Sequence, residues 1–166
     1  METTTETAKD SGCCPRFNPA IWDGKTTVFK DKLFIKKTAP QIFHIPLPGT
    51  IGKIMTKSWE EMEAAGAKPS DQEFLWLAYD PSPWKCEHFI HVTKEVPGLE
   101  NVKLSGTFIT KVFDGPYNDV PKWIKEMDKY LAAQEKSAKK YYFYYTTCPK
   151  CAKFYGHNYV VVFAQV

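Results

Sequence analysis

Aromatic rings, with the few ionisable groups beside them, are the residues of this chain best equipped for chemistry. Aromatics make up 15% of its 166 residues. Trp76, Trp84, Tyr117, Tyr144 and Tyr145 fall in strand-like or turn segments rather than on a helix stripe. Large rigid rings give apolar contact and bind cations or planar aromatics through their faces, so these residues are candidate walls of a ligand pocket. The same ring types are also good strand formers and core fillers, which is the plain alternative. Alternation along a strand sends Tyr144 and Tyr145 to opposite faces, so at most one points into a given groove. Glu87, in Trp84-Lys85-Cys86-Glu87, is the acid expected to orient a water or stabilise positive charge, provided partial burial raises its pKa into the general acid–base range. A solvated strand-end glutamate is the alternative. Tyr145 is the hydroxyl chosen to hydrogen-bond an electrophile's carbonyl, against the alternative of a satisfied core tyrosine.

The remaining reactive groups carry weaker patterns. Cys148-Pro-Lys-Cys151 together with Cys13-Cys14 supplies four thiols, enough for a structural zinc if the N-terminal segment folds back. Adjacent cysteines are poor ligand spacing, however, and the C-x-x-C is not placed in a βαβ redox context. The expectation is therefore a turn with reduced thiols, no metal and no cofactor. His44, His88, His91 and His157 show no helical metal pairing, and neither a G-x-S-x-G elbow nor a phosphate loop occurs. Serine-hydrolase and nucleotide-dependent chemistries are disfavoured.

With 22 basic and 19 acidic residues the net charge is +3, too even a balance to suggest nucleic acid or anionic lipid as partner. No apolar run approaches the roughly 20 residues of a membrane span. The start, METTTETAKDSG, lacks the basic-then-apolar order of a secretory signal. An odd set of five cysteines with one C-x-x-C suits a reducing compartment, so a cytoplasmic location is expected.

Positioning these groups falls to a single domain. Residues 1–12 read as a disordered polar tail and 13–31 as a lead-in segment packed on the domain. Residues 32–37 read as a strand, and Ile51, Met55, Trp59 and Met62 recur at helical spacing. Strands are expected over 73–79 and 87–96, joined by the turn Asp80-Pro81-Ser82-Pro83. The order then repeats: a long strand 102–113, a helix opened by Asp119 and Pro121 with Val120, Trp123, Met127 and Tyr130 inward, and strands 141–146 and 159–164. Trp59 with Met127, Phe74 with Tyr142 and Asp80 with Cys148 all differ by 68 (127 − 59, 142 − 74, 148 − 80), as in an internal duplication. The expected fold is α+β: tandem βαββ repeats (32–98 and 99–166) forming one antiparallel sheet, with two helices on one face and a central groove.

Over residues 32 to the end the chain resembles the GyrI-like small-molecule-binding family. The resemblance rests chiefly on Phe108-Ile109-Thr110-Lys111-Val112-Phe113-Asp114-Gly115-Pro116-Tyr117 and the helix after it. It implies a pseudo-symmetric sheet with a central pocket for flat, lipophilic, often cationic compounds. Lacking a preceding helix-turn-helix, the chain is expected to act alone. The Cys-Cys lead-in and the CPKCAKFYGHNYVVVFA ending are similar to a stand-alone branch that hydrolyses the cyclopropane ring of DNA-alkylating natural products. Many members carry Glu-x-Tyr before the final turn; here Tyr145 matches the tyrosine and the glutamate is absent. The implied function is binding of planar lipophilic xenobiotics with hydrolysis of strained electrophiles. Sequestration without turnover is the second reading, and an external aromatic patch for a protein partner is the third.

Overall fold

Runs of consecutive buried residues, such as His88–Ile90, Phe108–Thr110 and Val160–Ala164, mark strands covered on both faces. The structure is a computed structural model that describes residues 14–166. Its order is β1 (Lys25–Ile42), β2 (Ile45–Pro46), α1 (Thr50–Ala64), β3 (Trp76–Ser82), β4 (Lys85–His91), β5 (Asn101–Asp114), α2 (Val120–Ala132), β6 (Lys140–Tyr145), α3 (Pro149–Tyr155) and β7 (Tyr159–Gln165). The sheet is antiparallel in the order β2-β1-β4-β3-β6-β7-β5, and β1 also pairs with β5, so six strands join end to end in a barrel-like ring. The expected disordered tail at 1–12 and Cys13 lie outside the described residues.

β1 is much longer than the expected strand at 32–37. Its N-terminal part pairs with β5 from Lys25↔Thr110 to Ile35↔Asn101, and its C-terminal part pairs with β4 from Phe34↔His91 to Pro40↔Lys85. A bulge between Phe29 and Lys32, with Asp31 at φ 47°, bends the strand between its partners. The last seven residues of the lead-in, 25–31, are therefore sheet. Before them a 3-10 turn at Pro19–Ile21, capped by the Asn18 side chain, sets Phe17 and Trp22 against the core.

Register relates the two sides of the sheet. Ile35↔Ile90, Ile90↔Trp76, Ala78↔Phe143, Phe143↔Val162 and Val162↔Lys111 lie on one face. This helix face carries α1 over Ile35, Ile90 and Val92, and α2 over Ile109, Phe113, Phe143, Val160 and Val162. The inner face is filled by Phe29, Phe34, Leu77, Phe89, Phe108, Tyr142, Val161 and Phe163. Between α1 and α2 the β3–β6 ladder is a single residue pair, Ala78↔Phe143. The constant spacing of 68 is not what the ladders hold. Ala78 and Phe143 occupy matching places 65 apart (143 − 78), whereas His88 and Val162 match at 74 (162 − 88). The difference arises because α3 is inserted between β6 and β7.

One of the two expected helices turns differently from its apolar spacing. On α1, Ser58 and Met62 are buried and Ile54 packs inward, while Met55 and Trp59 are left exposed on the flank. Trp59 rests against Phe74 at 6.0 Å with the Lys68 ammonium 3.9 Å above its ring. On α2, Trp123, Met127 and Leu131 are buried and Val120 and Tyr130 flank them, close to expectation.

Candidate functional site

Where the helix face is uncovered between α1 and α2, alternation places Trp76, Ala78 and Asp80 of β3, Cys86 and His88 of β4, and Phe143 and Tyr145 of β6 on the same side. Asp80, expected in a turn, sits on β3, which runs on to Ser82 past an irregular register after Tyr79. Its carboxylate is 3.2 Å from His44 Nδ1. Burial pushes the Cys86 thiol up, and its hydrogen bond to Asp80 pushes it further.

Tyr117 reaches this cluster from the turn after β5. A Cβ at Gly115 would stand 3.1 Å from the Asp119 carboxylate and 3.4 Å from Trp123, so glycine gives the chain its easiest passage this close to α2. Asn158 Nδ2 holds the Gly115 carbonyl at 2.6 Å, and Tyr117 then leads a 3-10 turn. Its hydroxyl donates to the His44 carbonyl at 2.9 Å, and its ring lies 5.9 Å from that of Tyr145. Burial pushes the Tyr117 hydroxyl up to about 12, with the Asp80 charge adding to it. Tyr145 is pushed higher still, by burial first and then by Tyr117, Asp80 and Cys86. Both hydroxyls therefore stay protonated; the Tyr117 proton is engaged by the His44 carbonyl, and Tyr145, hydrogen-bonded to Tyr117, is the donor that can turn to an incoming electron-rich oxygen. Tyr145 is stacked on Phe143, two positions before it on β6, at 6.4 Å.

His88 lies deeper, only 4% exposed. Trp76 Nε1 donates to its Nδ1 at 3.0 Å, which leaves the ring proton on Nε2. Burial lowers its pKa to about 4 against the pull of Asp80, so the ring is neutral. The Nε2 atom has no partner among the described residues, an uncommon state for a buried polar atom. At the rim, Trp84 is half exposed on the β3–β4 turn, packed on Phe43 at 5.0 Å. Gln41 anchors that turn: its backbone N–H donates to Trp84 O and its side chain to Ser82 O and Lys85 O.

The site residues expected from sequence are thus divided. Trp76, Tyr117 and Tyr145 share the cleft with Asp80, and Trp84 stands on its rim. Tyr144 faces the other way, edge-on to Phe17 at 6.4 Å, and burial with the nearby Cys14 raises its hydroxyl to about 12. Glu87 pairs with Tyr79 across β3–β4, on the inner face, opposite Tyr145. It holds Lys36 at 3.1 Å and Lys85 at 3.3 Å. Burial pushes its carboxyl up, but these two ammonium groups outweigh it and hold it below the usual glutamate value, the reverse of what acid catalysis at neutral pH asks. Asp80 and His88 are the residues that sequence reasoning missed. The available signal was the alternation Trp76, Ala78, Asp80, which continues the strand through the aspartate.

A depression of about 720 Å³ runs along the solvent side of α1 at Gly49, Gly52, Lys53, Thr56, Lys57 and Glu60. Another of about 160 Å³ is lined by Arg16, Phe17, Thr147, Tyr155, His157 and Tyr159. No residue of the Asp80 cluster lines either, and the first is walled by one polar helix surface without convergent groups. In the Asp80 cluster itself Tyr117 and Tyr145 remain 40% and 36% exposed. No helix of the described residues is long and apolar enough to cross a membrane.

Similarity to other proteins agrees with this architecture. The EcmrR C-terminal domain superposes over 85% of this chain and 94% of its own, with TM-score 0.63 at 10% identity. An uncharacterized conserved protein from Listeria innocua covers 86% of this chain and 92% of its own at 8% identity and TM-score 0.60. A hydrolase from Listeria innocua covers 87% and 92% at 9% identity and TM-score 0.59. At such identities the likeness speaks for the fold alone. No curated protein matches the chain significantly in sequence. A family model described as Bacterial hydrolase matches residues 4–166.

Proposed function

The chain belongs to the bacterial hydrolase family, and on that premise we propose that its cleft binds planar lipophilic or cationic aromatic compounds and adds water to strained electrophiles among them. Cyclopropane-bearing alkylators are the substrate class. One observation carries the reading: Asp80, 3.2 Å from His44 Nδ1, shares one sheet face with Cys86, His88 and Tyr145, and Tyr117 packs on Tyr145 from the turn after β5, on a half-open aromatic surface between two helices. A carboxylate beside ring faces suits a flat cation, and a protonated phenol suits a carbonyl gaining negative charge.

In this mechanism Tyr145 donates a hydrogen bond to a carbonyl conjugated with the cyclopropane. Asp80 takes a proton from water as the water oxygen bonds to the ring CH₂. The breaking C–C bond sends its electron pair into the carbonyl, which becomes a phenol on protonation, and the sum is substrate plus one water. Glu87 has no part in the scheme, being on the inner face. The proposed setting is cytoplasmic, without nucleic acid or membrane as partner, and the cleft is read as the seam of two duplicated βαββ units.

The test is to incubate the protein with a cyclopropane-bearing alkylator and weigh the product, beside a titration with a fluorescent planar cation. A gain of one water, lost in Asp80→Asn while Asp80→Glu retains part of it, supports the hydrolase. Saturable binding of the cation with the alkylator unchanged replaces it with sequestration. No saturable binding removes the cleft assignment itself.

A further inference from the structure

The thiols that the cleft does not use form a second cluster. Cys148 precedes α3, whose first residue is Pro149, and Cys151 lies one turn on, 1% exposed. Cys14, 134 positions away in the chain, comes to the same place. Its Sγ accepts from the Cys148 backbone N–H at 3.5 Å, and its carbonyl accepts the Tyr155 hydroxyl at 2.6 Å. The three Sγ atoms all lie within 4.8 Å of one another. Tetrahedral zinc with Zn–S bonds of about 2.3 Å requires sulfurs about 3.8 Å apart, so small side-chain rotations bring the three onto one ion.

We propose that Cys14, Cys148 and Cys151 bind one zinc ion that staples the segment before β1 to the β6–β7 connection. The fourth corner of the tetrahedron is available to water or to one further donor. Two features favour a metal over a cluster of hydrogen-bonded thiols. The C-x-x-C pair supplies two ligands from one turn, the usual half of a zinc site. A third thiol from a remote segment joins them, which core packing does not require. Each thiol would lose its proton as its sulfur joins the metal. The staple also has something to hold. Phe17 and Trp22, which pack against the aromatic inner face, lie in the segment that Cys14 begins.

The experiment is metal analysis of the full chain purified under reducing conditions, with Co²⁺ as spectroscopic probe. The expected result is one zinc per chain, and thiolate-to-cobalt charge-transfer bands with the strong visible absorption of tetrahedral Co²⁺ when cobalt replaces it. Loss of a ligand exceeds the 10–100-fold cost of losing an outer-shell partner. Cys14→Ser, Cys148→Ser and Cys151→Ser should therefore each weaken retention by about 100-fold or more, while Cys86→Ser, at a thiol outside the cluster, keeps one equivalent. Chelation of the wild-type chain should lower its Tm, with recovery on adding Zn²⁺. Absence of both bound metal and charge-transfer bands in the reduced wild-type chain, which needs no variant to fold, overturns the proposal. So does undiminished metal in Cys14→Ser, or a Cys148–Cys151 disulfide in chain kept under reductant.

Discussion

On the inner face of the sheet, Phe29, Phe34, Phe108 and Phe163 meet at ring distances of 4.7 to 6.4 Å, each less than a tenth exposed. On the helix face, Tyr117 and Tyr145 keep more than a third of their surface open and carry hydroxyls around Asp80. The residue class is the same and the use is opposite. Phenylalanine rings without a polar atom can be close-packed at no hydrogen-bonding cost, so the inner face holds the barrel together. Tyrosines left half open around a carboxylate spend that packing on recognition, which a closed core cannot offer.

Truncation on the packed face should give the largest effect. Phe108→Ala removes a ring in contact with Phe29, Tyr142 and Phe163 and should cost about 3–5 kcal/mol of stability, read from urea unfolding, with cation binding per folded molecule unchanged. A loss below about 1 kcal/mol would mean that the inner face is loosely packed and the contrast overstated.

Adjacent tyrosines sharpen the same contrast within one strand. Tyr145→Phe should lower turnover of a strained electrophile about 100-fold, or about 2.7 kcal/mol, by removing one donor to the developing oxyanion. Tyr144→Phe, facing Phe17, should leave turnover unchanged. Equal loss in both would show that the two faces are not functionally distinct.

His88 allows a test through pH. Its pKa is lowered from 6.5 to about 4 by burial, so the unfolded chain binds the extra proton first as pH falls. Stability is full above pH 6.5, declines between 6.5 and 4, and the lowered pKa of His91 adds in the same direction. The His88 share is about 2 kcal/mol between pH 7 and pH 5. Denaturant curves at the two pH values should diverge by about that much in the wild type and less in His88→Phe. An unchanged difference would place the charge-sensitive burial elsewhere than the cleft floor.

The strong repeats were legible and the exceptions were not. β5, α2, β6 and β7 follow from runs such as Val102–Phe113 and Tyr159–Ala164, where period and composition agree. The N-terminal half of β1 was hidden because Lys-Thr-Thr-Val-Phe-Lys-Asp breaks its alternation at the Asp31 bulge. α3 carries its own punctuation, Pro149 at the start and Gly156 in the left-handed conformation (φ 72°) at the end, but seven residues are too few for a helical period to show. For the site, alternation alone separates Glu87 from Tyr145 only once the register says which residues of β4 and β6 share a side. That register depends on the Ala78↔Phe143 pair, a contact between distant segments.

Glu87 is where the smallest effect carries most discrimination. Read from sequence, Glu87→Gln should abolish turnover and spare binding. With the carboxylate on the inner face between Lys36 and Lys85, the expected result is turnover within experimental error of wild type and a stability cost of about 1 kcal/mol or less. Because the ammonium groups lower the Glu87 pKa in the folded chain despite burial, that contribution is present above the unfolded value and lost as pH falls through the folded one. At neutral pH it should shrink in high salt. Turnover falling with Glu87→Gln while surviving Asp80→Asn would move the chemistry through the sheet to the inner face, making the aromatic core the pocket and the helix-face cleft its back wall.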